Sequence, residues 1–166
     1  MRGLLKGLAI AALLATVIGA GVMLYGLNAM EPGIVQVSVT ATPATQAQET
    51  LNAVMSQVDN GTFGGTQFAP ADGVSAETCT FLTYTVRLQN RGFFPAEWVS
   101  LAIEPAQDGG DVLQIGGDGA HLLAAGSTGD LSATLLRSGD ATVTARTLSM
   151  SCYVFGQKIV VQAQAE

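Results

Sequence analysis

The sequence predicts a mainly β protein: an antiparallel β-sandwich of about seven strands with one inserted short helix, preceded by a single transmembrane helix. Three observations carry this. Residues 7–27 form an apolar run without one charged side chain. From position 79 onward, short stretches alternate apolar and polar residues between Gly, Asn and Asp turns, the pattern of strands at sandwich-like spacing. Only one stretch outside the apolar run has helical periodicity, so strand–helix–strand alternation and a parallel sheet are not expected.

The apolar run comes first. As a helix its 21 residues would extend roughly 31 Å at about 1.5 Å per residue, enough to cross a bilayer core. Arg2 and Lys6 flank it and stay cytoplasmic by the positive-inside rule, which sends the rest of the chain outward. The rival reading is a cleaved signal peptide, whose apolar region spans about 7–15 residues before a small-x-small site. This run is longer, and Leu27 puts a bulky side chain where a small one is needed. The expected organisation is a cytoplasmic stub (1–6), a transmembrane signal anchor (7–27), a linker (28–33) and an extracytoplasmic domain (34–166). Ala11, Ala15 and Gly19 share one face of the anchor at a spacing that lets membrane helices approach closely.

Glu31, Pro32 and Gly33 break the helix, and residues 34–42 then alternate, with Val35, Val37 and Val39 on one side. Thr45 and Gln48 stand at capping-box spacing before a helix over 46–58, whose stripe is Leu51, Val54, Met55 and Val58. Asn60-Gly61 stops it, and Asn60-Gly61-Thr62 also fits a glycosylation sequon. A loop follows to Glu77. The remaining strands place Leu82, Tyr84, Val86 and Leu88 on one face, then Val99, Leu101 and Ile103. Residues 112–115 form a short strand. Leu131, Ala133 and Leu135, then Leu148, Met150, Cys152 and Val154, and last Ile159, Val161 and Ala163 complete the faces. Asn90-Arg91-Gly92 and Gly156-Gln157 are among the turns.

Composition bounds the partners. The chain is 48% hydrophobic but only 12% charged, against about 25% in ordinary globular chains. Beyond residue 27 it holds five basic and thirteen acidic residues, a net charge near −8. An acidic domain without a basic stripe argues against nucleic acid and against anionic lipid headgroups as ligands. The membrane itself, through the anchor, and another envelope protein or a glycan are the expected partners.

Nothing in the sequence marks an enzyme or a cofactor site. His121 is the one histidine and no Gly-x-Ser-x-Gly elbow accompanies it, so a nucleophile with an oriented base is not in view. Zinc-ligand spacing is absent. Asp108-Gly109-Gly110-Asp111 and Gly116-Gly117-Asp118-Gly119 have the Gly and acid content of calcium loops without the EF-hand order, and read equally as hairpin turns. Cys79 and Cys152, outside the cytoplasm and in one domain, are expected to form a disulfide. Trp98 has opposite parity to Val99, Leu101 and Ile103. It either joins Phe93 and Phe94 in an exposed interaction patch or packs in the core.

The segment Thr83–Gly92, followed by Pro95–Val99, forms a strand, an Asn-x-Gly turn, a small residue and a second strand. With Leu123–Thr134, an apolar, Ala-Gly, polar, then alternating segment, it resembles bacterial immunoglobulin-like surface domains of the CARDB (cell-adhesion-related) type. The resemblance covers residues 79–163, about half the chain, and the helix at 46–58 departs from it. It implies an immunoglobulin-like sandwich and a non-catalytic adhesion or scaffolding module. The alternative is a structural accessory subunit of a membrane or envelope complex.

Overall fold

A computed structural model describes residues 12–22, 32–117, 121–139 and 144–165. Residues 12–22 are helical (α1) and every side chain there is exposed, including Leu13, Leu14, Val17, Ile18 and Val22. The rest of the expected anchor, Ala11 among it, lies outside the described residues. Among the described residues no helix is long and apolar enough to cross a membrane.

The remainder is mainly β, with all strands antiparallel in two sheets. Strands β1 (Gly33–Pro43), β2 (Thr66–Gln67), β3 (Cys79–Gln89), β5 (Asp111–Gly116) and β7 (Thr128–Ser138) form one sheet, in the order β1-β3-β7-β5-β2. Strands β4 (Ala96–Ile103), β6 (His121–Leu123), β8 (Arg146–Val154) and β9 (Gln157–Ala165) form the other, in the order β6-β4-β8-β9. The count is nine rather than the expected seven. The two additions, β2 and β6, have only two and three residues, too short for a period of two to register.

The alternating faces pack against each other. Leu82, Tyr84, Val86 and Leu88 of β3 and Leu131, Ala133 and Leu135 of β7 meet Val99, Leu101 and Ile103 of β4 and Leu148, Met150, Cys152 and Val154 of β8 in one core. Burying each large aliphatic chain there contributes about 1.5–3 kcal/mol. In β1 the expected face is corrected. A bulge between Ile34 and Gln36 turns Val35 outward, and Ile34 joins Val37 and Val39 against the core.

Helix α2 (Gln48–Asp59) lies on the outer face of the five-stranded sheet. Its Leu51 and Val54 are buried over Ala44, Phe81, Val112, Leu113 and Leu136, with Met55 and Val58 partly buried beside them, as the stripe requires. Its start differs from expectation. Pro43 leads into a 3-10 turn over Ala44–Gln46, closed by the Ala47 N–H on the Ala44 carbonyl (3.1 Å). Thr45 is inside that turn and caps nothing, and Ala47 occupies the cap position. The helix ends at Asn60, with Gly61 at a φ of +70°.

The expected disulfide does not form: Cys79 and Cys152 are both free and buried. Cys79 points, with Phe81, into the cluster beneath α2, whereas Cys152 points into the core between the sheets. The five-stranded sheet stands between the two thiols, so no rotamer change can join them. Burial pushes the Cys152 thiol above its ordinary range, which suppresses its thiolate.

Two polar devices tie the sheets together. Gln114 of β5, nearly fully buried, accepts the Ile103 N–H (2.9 Å) and donates to the Leu101 carbonyl (3.0 Å), standing in for a peptide group along the part of the β4 edge that the short β6 leaves unpaired. The Leu101 N–H donates to the Gly117 carbonyl (2.8 Å), where a Cβ on Gly117 would fall 2.3 Å from the Leu101 carbonyl oxygen. The second device is ionic. The Asp111 carboxylate is wholly buried and accepts from Arg146 Nε (2.9 Å), Arg146 Nη2 (2.7 Å), Arg137 Nη1 (3.0 Å) and the Ala106 N–H (2.7 Å). Arg137 is also paired with Asp108, half-exposed in the β4–β5 connection. Asp108 and Asp111, read from sequence as possible calcium ligands, are thus neutralised by guanidinium groups, and Asp118 lies outside the described residues. Among the described residues no cluster of His, Cys, Asp and Glu is arranged to hold a metal ion.

Candidate surface site

The most distinctive surface lies at the end of the four-stranded sheet where β8 finishes. It rests on Asn90. This side chain is buried, and its amide donates to the carbonyls of Phe94 (2.8 Å) and Leu123 (3.1 Å). Its Oδ1 accepts the Gly92 N–H (2.9 Å), and its backbone N–H reaches the Ser127 carbonyl (2.9 Å). One asparagine therefore fixes the β3–β4 connection and anchors the end of β6. The turn that the sequence reads at Asn90-Arg91-Gly92 is real, but it carries the chain from one sheet to the other, because β3 and β4 belong to different sheets.

That connection presents Phe93, 78% exposed. Phe94 turns the other way, against the core, with its ring edge on Phe155 (centroids 4.1 Å apart, 64° between planes). The expected patch of Phe93, Phe94 and Trp98 is corrected accordingly: Phe94 is a support, and Phe93 and Trp98 are the exposed members. Trp98 does not pack in the core. It is 65% exposed, at a bulge of β4 against both neighbours, with a backbone φ of +52°. That left-handed conformation is costly for a bulky residue, by about 1–2 kcal/mol.

The bulge gives consecutive residues, Glu97 and Trp98, the same outward exposure. Register places their neighbours. Glu97 stands opposite Tyr153 of β8, and Tyr153 opposite Lys158 of β9. On the other side, Glu97 and Trp98 line a cleft of about 340 Å³ with His121 and Leu122 of β6. A second, narrower cavity of about 180 Å³ continues from His121 and Leu122 between the sheets toward Leu131 and Asp130. The outer face here thus runs from exposed Leu122, across Glu97 and Trp98, to Tyr153 and Lys158, with Phe155 exposed at the adjoining turn. Among the described residues Glu97 has no ion-pair or side-chain hydrogen-bond partner.

The rest of that face is mostly polar and small, with Ser100, Ser149, Ser151, Gln162 and Gln164 beside Ala102 and the exposed Val160. Beyond the part that α2 covers, the outer face of the other sheet is a ladder of paired hydroxyls, Thr83 with Thr134 (3.0 Å) and Thr85 with Ser132 (2.9 Å), ending in the exposed Arg87–Asp130 pair (2.8 Å). The concentration of exposed rings at one end therefore stands apart from both faces. Sequence reasoning missed His121, Leu122, Tyr153 and Phe155 as members. Their parity marked Tyr153 as outward, but only strand pairing brings it beside Glu97. Of the small-residue face, Ala15 and Gly19 lie exposed on α1.

No protein-family model matches the chain, and no curated protein matches it in sequence.

Proposed function

We propose that the chain is a membrane-anchored, extracytoplasmic binding module of adhesion or scaffolding type, non-catalytic, with its binding surface at the aromatic end of the four-stranded sheet. The observation that carries this is the exposed group of Phe93, Trp98, Leu122, Tyr153 and Phe155, on a domain whose other sheet surfaces, among the described residues, expose Val35 and Val160 as their large apolar side chains and are otherwise small or polar. Exposed aromatic residues on a rigid support are what protein and glycan interfaces use as anchors. The Trp98 backbone points the same way, since a left-handed tryptophan is retained at a cost to stability. The likeness to CARDB-type surface domains agrees with such a role. The exposed apolar side chains of α1 support a lipid environment for the N-terminal segment, with Arg2 and Lys6 on the cytoplasmic side.

Photo-cross-linking in intact cells tests the surface. Benzoylphenylalanine in place of Phe93 should yield a discrete adduct with an envelope protein or glycan. The same group in place of Gln164, exposed on the far part of the same face, should not. No adduct from Phe93, or equal adducts from both positions, would remove the aromatic end as the binding surface.

A further inference from the structure

We infer that the cleft between Trp98 and β6 is a receptor for a cationic side chain, a lysine or arginine presented by a basic segment of a partner protein. The inference rests on the reading of this end as the binding surface and names its ligand chemistry.

Three observations converge on it. The first is composition of the cleft: an exposed indole, an adjacent carboxylate, Leu122 and His121, with neither Lys nor Arg in the lining. An aromatic face attracts a cation through its ring quadrupole, most strongly for tryptophan, and a carboxylate beside it supplies the counter-charge. The second is that Glu97 is free to serve. The acids Asp108, Asp111 and Asp130 are held by Arg137, Arg146 and Arg87, whereas Glu97 has no partner among the described residues. The third is the charge of the domain. It has five basic residues against twelve acidic ones, and three of the five are taken by those ion pairs. A domain with so negative a field steers cationic partners toward it and repels anionic ones.

The bulge explains how the cleft is made. In a regular strand, Glu97 and Trp98 would point to opposite faces. The extra residue and the positive φ at Trp98 bring both to the same outward side, so the strained backbone is what assembles the pair. A neutral glycan would stack on the indole and donate its hydroxyls to the carboxylate, but it gains nothing from the net negative charge of the domain, which favours the cationic peptide.

Trp98 is the chain's only tryptophan, so its fluorescence reports on this cleft alone. The full-length chain in dodecyl maltoside micelles would be titrated, at physiological salt, with a capped hexa-arginine peptide and with its uncharged hexa-citrulline counterpart. The arginine peptide is expected to change Trp98 emission saturably, and the citrulline peptide to leave it unchanged. Glu97→Gln should weaken arginine-peptide binding about fivefold, the scale of one exposed charge pair. Trp98→Phe, followed by calorimetry, should weaken it as well. Both positions are exposed, and unchanged far-UV circular dichroism verifies that the variants fold. Equal binding to Glu97→Gln would mean diffuse attraction to an acidic surface and would overturn the inference, as would equal binding of the citrulline peptide or an unresponsive Trp98. A Phe93 cross-link without peptide binding would overturn the cation cleft alone. Peptide binding without a Phe93 cross-link would retain the cleft and remove Phe93 from the surface.

Discussion

Replacing Asp111 with Asn should cost this domain a large part of its stability. The carboxylate is wholly buried and is the shared partner of two guanidinium groups, Arg137 and Arg146, each of them nearly fully buried. It accepts three hydrogen bonds from them and a fourth from the Ala106 N–H. The amide removes the negative charge and turns an NH₂ toward a cation. Breaking a buried pair from one side costs about 3–5 kcal/mol, because the remaining charge is left uncompensated. Set against the ~5–15 kcal/mol of a typical domain, that is roughly a fifth of the total or more. It should lower the melting temperature by roughly 10–20 °C. Thermal and urea unfolding of the full-length chain, followed by far-UV circular dichroism, measures it. A second variant separates packing from charge. Asp111→Leu with Arg137→Met and Arg146→Met removes all three charges and should lie closer to the parent than Asp111→Asn does. An Asp111→Asn protein within 1 kcal/mol of the parent would refute the clamp as a structural element. The same cluster predicts acid sensitivity. Burial by itself raises Asp111, but hydrogen bonds from Arg146, the Ala106 N–H and Arg137 outweigh it and hold the group below the ordinary carboxylate range. The hydrogen bond from Arg137, with the Gly110 N–H, lowers Asp108 to about 2. A depressed folded pKa contributes stability above the unfolded value near ~4 and loses it as pH falls through the folded value. For Asp108 that window runs from about pH 4 down to about 2.

Gln114→Leu should cost about 1–3 kcal/mol in urea unfolding, because it orphans the Ile103 N–H and the Leu101 carbonyl; a neutral effect would refute its role as the stitch along β4. Thiol titration without reductant should find two reactive groups in denaturant and none in the native chain, whereas no reaction in denaturant would mean that the cysteines are bridged. Trp98→Asn, at a φ of +52° that Asn tolerates better, should raise stability by about 0.5–1 kcal/mol while abolishing arginine-peptide binding; a destabilised variant would mean that the indole packs rather than waits for a ligand. Gln164→Cys, exposed on β9, should react with a membrane-impermeant maleimide in intact cells while the buried native thiols stay silent, and labelling only after lysis would refute the outward orientation.

The sheet faces were legible because each is a local property. Leu82, Tyr84, Val86 and Leu88 announce an inner face by alternation alone, and the structure buries all four. Alternation fails wherever a residue is inserted. Val35 has the parity of Val37 yet points outward at a bulge, and the bulge at Trp98 gives it and Glu97 the same exposure. It is equally silent on pairing between distant segments. Asp108 and Asp111 sit in a glycine-rich stretch that resembles a solvated turn, and the arginines that claim them lie 26 to 35 positions further on. Cys79 and Cys152 suggested a bridge from number and compartment, but the parity of Cys79 with Phe81 rather than Leu82 already placed it on the helix side. The candidate site was half legible. Phe93 and Trp98 stand out as aromatic residues near a turn, whereas Leu122, Tyr153 and the free Glu97 acquire meaning only from the order β6-β4-β8-β9.

The placement of these features along β8 explains how the domain can tolerate a strained residue. Arg146 opens the strand and belongs to the buried clamp, and Tyr153, seven positions later, faces Glu97 at the aromatic end. At about 3.3 Å per residue the two are roughly 23 Å apart, beyond a Debye length in physiological salt. Charge brought to Glu97 therefore leaves the Asp111 cluster undisturbed, and mutations in the two places should add in their effects on stability. The clamp and the Gln114 stitch hold one end of the sandwich, and Asn90 with the Phe94–Phe155 contact steadies the other. Trp98 needs no contribution of its own to the core, which leaves its left-handed backbone free to be set by presentation rather than by packing. Surface rings on such a support lose little conformational freedom on binding, the condition under which a small exposed patch can hold a partner.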